Sequence, residues 1–257
     1  MERLDKILSN FGGISRTEAK LALKAGRVKV NGTVVKDPTF KAEDNDEVSL
    51  DGKVLVRQKY RYFLLNKPAG YISSTEPEPG DTSPNVISLF KNEGVKGLFP
   101  VGRLDKDTTG LLIVTNDGEL GHRLTAPGKH VDKTYIAKVR GEINESAIKA
   151  FAEGFEFKEF TSAPARLEIL EVLQQAVITA PEAADQEPMP PAQVSLTMAK
   201  VTIHEGKFHQ VKRMFQKVGC EVVELKRISM GALNLDETLK PGEYRELKPE
   251  ELKNIMP

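Results

Sequence analysis

The first part of the chain carries a helical pattern of apolar positions. Three apolar residues recur at the spacing of one helix face, namely Leu4, Ile7 and Leu8. A Gly-Gly pair at 12–13 should end that helix. Ser15 and Glu18 then have the spacing of a capping box, which predicts a second helix that ends at Gly26.

Beyond residue 26 the helical pattern gives way to alternation. Arg27 and Lys29 alternate with Val28 and Val30, as in a strand with one buried face. The Asn-Gly pair at 31–32 is a strong signal for a two-residue turn. The sequence therefore predicts a basic hairpin after the two helices.

The remaining pattern predicts a second, larger domain. A polar join at 57–60 places a small domain at residues 1–57 and the larger one at residues 58–257. Strands are predicted in the larger domain at 61–71, 111–114, 133–141, 164–172 and 196–203. Helices are predicted within 118–125, 142–157 and 211–219. The segment at about 174–193 is rich in Pro, Ala and acidic residues, and we expect a mobile insertion there.

The composition is that of an ordinary globular protein. The chain has 257 residues, of which 39% are hydrophobic and 29% charged. Cys220 is the only cysteine, which excludes an intrachain disulfide and suits a reducing compartment. The N-terminus lacks the apolar core of a signal peptide, and no stretch approaches a membrane span. We therefore expect a cytoplasmic monomer without membrane attachment.

The charges are unevenly distributed although the formal net charge is zero. Residues 1–36 hold 8 Lys or Arg against 3 Asp or Glu, whereas residues 142–190 hold 3 against 10. With a second basic zone at 200–227, this distribution favours a polyanionic partner. Five basic residues of the first zone are candidates for phosphate contacts: Arg16, Lys20, Lys24, Arg27 and Lys29. The alternative is a solvated surface that keeps the protein soluble.

One charged loop stands directly before a short apolar strand. The apolar run at 111–114 is preceded by Gly102, Arg103 and Asp105. A guanidinium and a carboxylate are therefore presented together near the start of the strand. This arrangement suits nucleophilic or acid–base chemistry. On spacing alone, an ordinary ion pair on a surface loop is the more common explanation. The His and Cys residues lack zinc-ligand spacing, and GxGxxG, GKS/GKT and GxSxG motifs are absent, so we expect no metal and no nucleotide cofactor.

The loop and strand carry the segment GRLDKDTTGLL, which resembles the GRLDxxTxGLL motif of the RsuA family of pseudouridine synthases. Every fixed position of that motif is met. The resemblance implies that Asp105 is the catalytic residue and that Arg103 helps to hold a flipped-out nucleotide. A KxY element at 133–135 is also similar to the family, which implies that Tyr135 lies against the target base.

Further stretches extend the likeness over nearly the whole chain outside the insertion. EGKFHQVKRMF is similar to the family's EGxxHQVxRMF element, in which a basic residue pairs with the catalytic Asp. Lys212 holds that position, with Arg213 beside it at the pocket, and Leu225 falls where the family has an apolar pocket residue. RLDKIL, SRTEAK and GRVKVNG resemble pieces of the S-four-like RNA-binding domain, named after a ribosomal protein.

The resemblance implies an α+β fold, in which a small S-four-like domain precedes a mixed, mainly antiparallel sheet with flanking helices. It implies a cofactor-free isomerase that converts a uridine of small-subunit ribosomal RNA to pseudouridine, on folded or partly assembled RNA. Lys212 and the Asp-Thr-Thr at 107–109 make the match nearest to the small-subunit member.

Several questions stay open at this point. The alternatives are a related synthase that acts on large-subunit ribosomal RNA and a non-catalytic RNA-binding factor. Asp105 could attack the sugar or remove a sugar proton. For His209 we expect structural hydrogen bonding or a phosphate contact rather than general-base chemistry.

Overall fold

A computed structural model of the chain describes residues 1–55, 60–76, 80–126, 128, 130–178 and 192–255, with side chains omitted at 173–178 and 192–194. These residues form two compact units, Met1–Tyr60 and Arg61–Pro257. The division falls a little beyond the boundary expected after residue 57. Most of the polar join expected at 57–60 lies outside the described residues.

The N-terminal unit combines two helices with short strands. The helices are α1 (Leu4–Phe11) and α2 (Arg16–Lys24), and the strands are β1 (Glu2–Arg3), β2 (Val28–Val30), β3 (Thr33–Val34), β4 (Lys41–Ala42), β5 (Val48–Leu50) and β6 (Lys53–Val54). Within the described residues, β3, β2, β5 and β6 form an antiparallel sheet in that order, and β1 pairs with β4. The predicted two helices and hairpin are confirmed.

Local sequence signals explain where these elements begin and end. The Ser15 Oγ accepts a hydrogen bond from the Glu18 backbone N–H, and the Glu18 carboxylate accepts one from the Ser15 N–H, as expected of a capping box. Asn31 and Gly32 both have positive φ, as a tight hairpin turn between β2 and β3 requires. Apolar side chains from both helices and three of the strands fill the core: Leu4, Ile7, Leu8, Ala19, Ala22, Leu23, Val28, Val30, Ala42, Val48 and Leu50.

The larger unit is built on one mixed sheet. Its strands are β7 (Tyr62–Lys67), β8 (Phe99–Pro100), β9 (Thr109–Thr115), β10 (Lys133–Arg140), β11 (Arg166–Ile178), β12 (Ala192–Ile203), β13 (Glu221–Met230), β14 (Leu233–Asn234) and β15 (Tyr244–Glu246). Its helices are a 3₁₀ helix (Val86–Glu93), α3 (Gly118–Thr125), α4 (Glu145–Glu153), α5 (Gln210–Lys217) and α6 (Pro249–Ile255). Among the described residues, no helix has the length and apolar content that a membrane crossing needs.

The sheet runs in the order β11, β12, β10, β13, β9, β7, β15, with β14 added at β13 and β8 at β9. All pairings in it are antiparallel except the parallel pair of β9 and β13. The expected α+β fold with a mixed, mainly antiparallel sheet is therefore confirmed. Aromatic packing contributes to its core, for example where the rings of Phe151 on α4 and Phe215 on α5 lie 5.0 Å apart.

Strand β9 lies near the middle of the sheet and fixes the loop before it. Leu111, Leu112, Ile113 and Val114 are all fully buried. At the start of the strand, Gly110 pairs with Arg227 of β13. A Cβ at Gly110 would lie 2.2 Å from the Arg227 carbonyl oxygen, so only glycine allows the two backbones to come this close. The loop that carries Asp105 is thus attached to the sheet at its C-terminal end.

The segment expected to be an insertion at about 174–193 begins and ends within paired strands. β11 and β12 pair from Arg166↔Thr202 out to Ile178↔Ala192, with two register shifts on the way. Residues 174–178 and 192–193 therefore belong to these two strands, with 174 and 175 at a register shift, and the mobile insertion stays a prediction. Residues 179–191 lie outside the described residues.

Candidate active site

A pocket lies beside the loop that precedes β9. Its lining comes from the loop, from β10 and β13, from the end of β12, and from the turn and helix that follow β12: Arg103, Leu104, Asp105, Thr108, Tyr135, Ile203, Gly206, Lys207, His209, Gln210, Val211, Lys212 and Leu225. Five of the residues selected from the sequence meet here: Arg103, Asp105, Tyr135, Lys212 and Leu225. They come from four separate parts of the chain, so only the fold brings them together.

Asp105 sits in a tight turn at the pocket. The Thr108 backbone N–H donates to the Asp105 carbonyl oxygen at 3.1 Å, which closes the turn. Gly102, which begins the loop, has φ +77°, a conformation that favours glycine. The Asp105 side chain is 27% exposed, so its carboxylate is accessible from the pocket without being fully solvated.

Lys67, at the end of β7, supports the loop that carries Asp105 through hydrogen bonds to its backbone. Its side chain is fully buried, and its Nζ donates to the carbonyl oxygens of Pro68 at 3.1 Å, Asp105 at 3.1 Å, Lys106 at 3.3 Å and Thr108 at 2.8 Å. Burial lowers the pKa of Lys67 to about 8, although the charges of Asp107 and Asp105 oppose the shift. The four carbonyl oxygens bind the ammonium form and so fix the backbone around Asp105.

Other hydrogen bonds also hold the loop that carries Asp105. The Ser73 hydroxyl donates to the Leu104 carbonyl oxygen at 3.0 Å and accepts from the Leu104 N–H at 3.1 Å. The Gly70 N–H donates to the Lys106 carbonyl oxygen at 2.8 Å. Residues 67–73, called the supporting segment below, therefore hold the loop from Leu104 to Thr108. The sequence predicted a strand at 61–71 but not this role of Lys67, whose available signal was a lysine at the end of a mostly apolar strand.

Lys212 approaches the carboxylate from α5. Its Nζ lies 3.3 Å from Asp105 Oδ2 and 2.5 Å from Asp107 Oδ1, so the expected pairing with Asp105 is present and is shared with a second carboxylate. Partial desolvation raises the pKa of Asp107, but the hydrogen bond and charge of Lys212, a backbone hydrogen bond and the charge of His209 together lower it, and the net pKa is below the usual value.

His209 is a second neighbour of Asp105. Its Nε2 lies 3.6 Å from Asp105 Oδ1. The residue immediately precedes α5 and has φ +49°, a left-handed conformation that is uncommon for a non-glycine residue. Its position between loop and helix thus places the imidazole against the carboxylate, a contact that sequence spacing did not indicate.

Tyr135 and Leu225 form the apolar wall of the pocket. They stand on the neighbouring strands β10 and β13, where Ala137 pairs with Leu225 and Tyr135 pairs with Arg227. Both side chains are largely buried. Thr108 also lines the pocket, and its Oγ1 is buried without a hydrogen-bond partner among the described residues. A bound substrate would have an apolar surface on one side and a hydroxyl group on another.

Arg213 does not line this pocket, contrary to the sequence expectation. Its Nη2 lies 2.5 Å from Glu159 Oε2, and its guanidinium lies over the rings of Phe157 and Phe160, at 4.7 and 5.0 Å from their centres. Consecutive residues on a helix point about 100° apart. Lys212 faces the pocket, whereas the Glu159 carboxylate and the two aromatic rings hold the Arg213 guanidinium on another side of the helix.

The basic residues selected in the N-terminal unit are exposed. Arg16, Lys20 and Lys24 follow one another at four-residue spacing on α2 and so form one stripe. Lys29 points outward between the buried Val28 and Val30. Arg27 differs from the others, because its guanidinium makes a bidentate pair with the Asp51 carboxylate.

The arrangement is suited to chemistry on a planar, uncharged ring attached to a sugar. A carboxylate held by two nitrogen-bearing side chains faces a wall made by an aromatic ring and a leucine. Among the described residues, no three His, Cys, Asp or Glu side chains converge as metal ligands would.

Two family models match the chain. Residues 61–217 match the family described as RNA pseudouridylate synthase, which covers the greater part of the chain and of the pocket. Residues 2–48 match the S4 domain. The two matches fall within the two compact units of the structure.

Several named proteins are similar to the chain over nearly their full length. The chain is 41% identical to "Uncharacterized RNA pseudouridine synthase YtzG" of Bacillus subtilis, over 97% of this chain and 96% of that protein. It is 38% identical to ribosomal small subunit pseudouridine synthase A of Escherichia coli, over 99% and 100%. It is 37% identical to ribosomal large subunit pseudouridine synthase B of Bacillus subtilis, over 99% and 96%.

A solved structure gives the same result for the fold. The chain is 33% identical to a protein described as pseudouridylate synthase, with a TM-score of 0.62, and the alignment covers 99% of this chain and 100% of that one.

Proposed function

Because this chain belongs to the RNA pseudouridylate synthase family, we propose that it converts a uridine of small-subunit ribosomal RNA to pseudouridine and that Asp105 is its catalytic carboxylate. One observation carries the assignment of Asp105. Its carboxylate opens into a pocket where Lys212 and His209 hold it and Tyr135 and Leu225 supply an apolar wall. The motif match and this geometry support the same residue.

The reaction begins when the target uridine leaves the stack of bases in the RNA. An enzyme that acts on a base within a folded RNA must extrude the nucleotide, and the aromatic ring of Tyr135 can then stack on the flipped uracil. The bond between the uracil nitrogen N1 and the ribose breaks, the uracil turns within the pocket, and its carbon 5 bonds to the same ribose carbon. Carbon 5 then releases its proton to water and N1 takes one up, so the product has the composition of the substrate. Asp105 promotes the cleavage by attack on the sugar or by removal of a sugar proton.

Each neighbouring side chain has a role in this scheme. Lys212 and His209 orient the Asp105 carboxylate, and Lys212 also keeps a positive charge beside it. Arg103, at the exposed edge of the pocket, helps to hold the flipped nucleotide. The bond that forms replaces the bond that breaks within one substrate, so the isomerisation is balanced without a second reactant.

The small subunit is favoured by particular residues and not by overall similarity. The relatives named for the small and the large subunit are 38% and 37% identical to the chain, which does not separate them. Lys212 and the Asp-Thr-Thr at 107–109 are the features that favour the small-subunit enzyme. The similar identity to the large-subunit relative makes large-subunit ribosomal RNA the second candidate.

We also propose that the substrate RNA is folded or partly assembled with proteins. The S4 domain match and the basic stripe on α2 support an RNA contact by the N-terminal unit, in addition to the pocket of the larger unit. A folded RNA can engage both units at once, and the second contact then forms at a high effective concentration.

Pseudouridine mapping tests the substrate and the catalytic residue together. Ribosomal RNA would be mapped from cells with the protein, without it, and with Asp105→Asn, which keeps the size of the side chain and removes its charge. We expect one small-subunit pseudouridine that is absent without the protein and is not restored by Asp105→Asn, while RNA binding by the variant stays within a few fold. A missing site in large-subunit RNA alone would refute the small-subunit assignment, and restoration by Asp105→Asn would remove Asp105 from the mechanism.

A further inference from the structure

Phe208 presents its aromatic ring to solvent at the edge of the pocket. The residue is 75% exposed, although single exposed apolar side chains are common on protein surfaces and exposure alone indicates nothing. Its position is informative. Both of its sequence neighbours, Lys207 and His209, line the pocket.

The ring of Phe208 stacks on a pocket residue. The rings of Phe208 and His209 have their centres 3.8 Å apart and are nearly parallel, at 17°. On the other side, His209 Nε2 lies 3.6 Å from Asp105 Oδ1. Two short contacts therefore connect the exposed aromatic ring to the catalytic carboxylate, and the high exposure of Phe208 leaves one face of its ring open.

The loop that carries Phe208 is held in place. The buried Gln210 side chain accepts from the Lys207 N–H at 3.0 Å and donates to Glu205 Oε1 at 2.7 Å. The Gln210 N–H in turn donates to the Lys207 carbonyl oxygen at 3.1 Å. An aromatic ring on such a loop loses little conformational entropy when a ligand stacks on it.

We propose that Phe208 and His209 form a stacking site for the RNA base next to the target uridine, with Phe208 as a positioning residue. When the target uridine leaves its stack, the neighbouring base loses a stacking partner, and the open face of Phe208 replaces it. Every base has a π-face, so the site accepts a base without reading its identity. The basic zone around the pocket attracts the backbone that carries this base. The inference rests on the proposed function, in that it takes the Asp105 pocket as the site of isomerisation.

Three substitutions and a matched control test the stacking site. Phe208→Ala removes the ring, Phe208→Tyr and Phe208→Trp keep one, and Leu170→Ala shortens a 52% exposed side chain on β11 that does not line the pocket. Tritium release from uracil carbon 5 would be followed under single-turnover conditions at increasing enzyme concentration. The substrate would be ribosomal RNA from cells that lack the protein, so the target position need not be known.

We expect Phe208→Ala to raise the half-saturating enzyme concentration by roughly 5- to 150-fold, the range that corresponds to loss of one base–aromatic stack. The rate at saturation should stay within a few fold of the wild type, because Phe208 does not contact the reacting atoms. Phe208→Tyr, Phe208→Trp and Leu170→Ala should bind RNA like the wild type. Equal thermal unfolding temperatures would show that none of these surface changes alters folding.

Different outcomes would refute the stacking site and the proposed isomerisation. If the wild type releases no tritium from this RNA, either naked or partly assembled into particles, the proposed function fails. If the wild type is active and Phe208→Ala binds equally well, the stacking site is wrong. Equal losses in the Ala, Tyr and Trp variants would also overturn it, because a ring would then not be what matters. A loss seen only with protein-containing particles and not with naked RNA would mean that Phe208 contacts a protein.

Discussion

At the scale of single residues, the pocket has a polar end and an apolar end. Lys212 and His209 approach Asp105 from the start of α5, where charge can act on the sugar. Tyr135 and Leu225 stand on two neighbouring strands and leave an apolar surface for the base. This division suggests that Tyr135 acts through its ring more than through its hydroxyl group.

Substitutions at Tyr135 test that division. We expect Tyr135→Phe to keep most of the activity, because the ring can still stack on the flipped uracil. Tyr135→Ala should lose about 1–3 kcal/mol of stacking, which corresponds to roughly 5- to 150-fold in the rate at low RNA concentration. Tritium release measures both variants.

The folding of both Tyr135 variants has to be checked, because the side chain is largely buried and its loss leaves a cavity. A thermal unfolding curve separates loss of structure from loss of stacking. Equal losses of activity in two folded variants would mean that the hydroxyl group carries the function.

At the scale of elements, the supporting segment holds the loop that carries Asp105, and Lys67 at the end of β7 is its central contact. Burial gives Lys67 a pKa of about 8, below the ordinary 10.5. Between these two values the folded protein has lost a proton that the unfolded chain still holds. Since the unfolded state binds more protons there, this group makes stability rise with pH from about 8 to about 10.5.

Activity should change in the opposite direction over the same pH range. A neutral amine binds four carbonyl oxygens less well than an ammonium group, so the loop around Asp105 loosens as Lys67 loses its proton. We expect kcat/KM to fall as pH rises through about 8, while unfolding by denaturant shows no matching loss of stability.

Two lysine variants provide the comparison for the pH profile. Lys67→Met removes the titrating group and the ammonium donor that the four carbonyl oxygens share, so we expect low activity without that alkaline decline. Lys106 is on the same loop, but it is exposed and its Nζ lies 3.3 Å from Asp81 Oδ1. Lys106→Met should keep the wild-type profile. An unchanged alkaline limb in Lys67→Met would assign the decline to another group.

The elements also show what a sequence can predict. The capping box at Ser15, the Asn-Gly turn at 31–32 and the helix of residues 118–125 after Asp117 are confirmed, because each depends on residues a few positions apart. The buried run at 111–114 is confirmed as part of β9, since a central strand needs apolar side chains on both faces.

Local sequence patterns did not predict the contacts between segments that are distant in the chain. Lys67 contacts the Asp105 carbonyl oxygen, 38 positions further along the chain, and no local sequence pattern indicates such a contact. The direction of Arg213 depends on how α5 is rotated against the sheet, which spacing alone does not give. The continued pairing of β11 and β12 beyond Gln174 depends on a partner strand and not on the composition of the segment itself.

At the scale of the whole molecule, each compact unit contains a hydrophobic core of its own. We therefore expect residues 61–257 to fold without the N-terminal unit. RNA binding by this fragment should be weaker and should depend less on salt, because each lost phosphate contact removes about 0.7–0.9 from the slope of log K against log salt. Binding titrated at several salt concentrations measures the change.

Variants of the full chain identify which basic residues contribute to that slope. The combined change of Arg16, Lys20 and Lys24 to Ala removes the stripe on α2, whereas Arg27→Ala removes a guanidinium already paired with Asp51. We expect a clear reduction of the salt slope for the first and a smaller one for the second. If the triple variant and the fragment both keep the wild-type slope, these residues are only solvated.

The proposed choice of a folded RNA as substrate rests on two separate units, the S4 domain and the unit that contains the pocket, in a chain of zero net charge. A short stem-loop engages only one of the two units, so it gains nothing from the other. A folded small-subunit RNA can engage the S4 domain and the pocket together, which raises the effective concentration of the target uridine at Asp105. We expect the rate at low RNA concentration to be highest for naked full-length RNA or a partly assembled particle and lowest for a stem-loop that carries the same uridine. The fragment 61–257 provides the control, because it should treat the stem-loop and the long RNA alike. If the full chain modifies the stem-loop as fast as the particle, the pocket alone selects the site and the two-unit account is wrong.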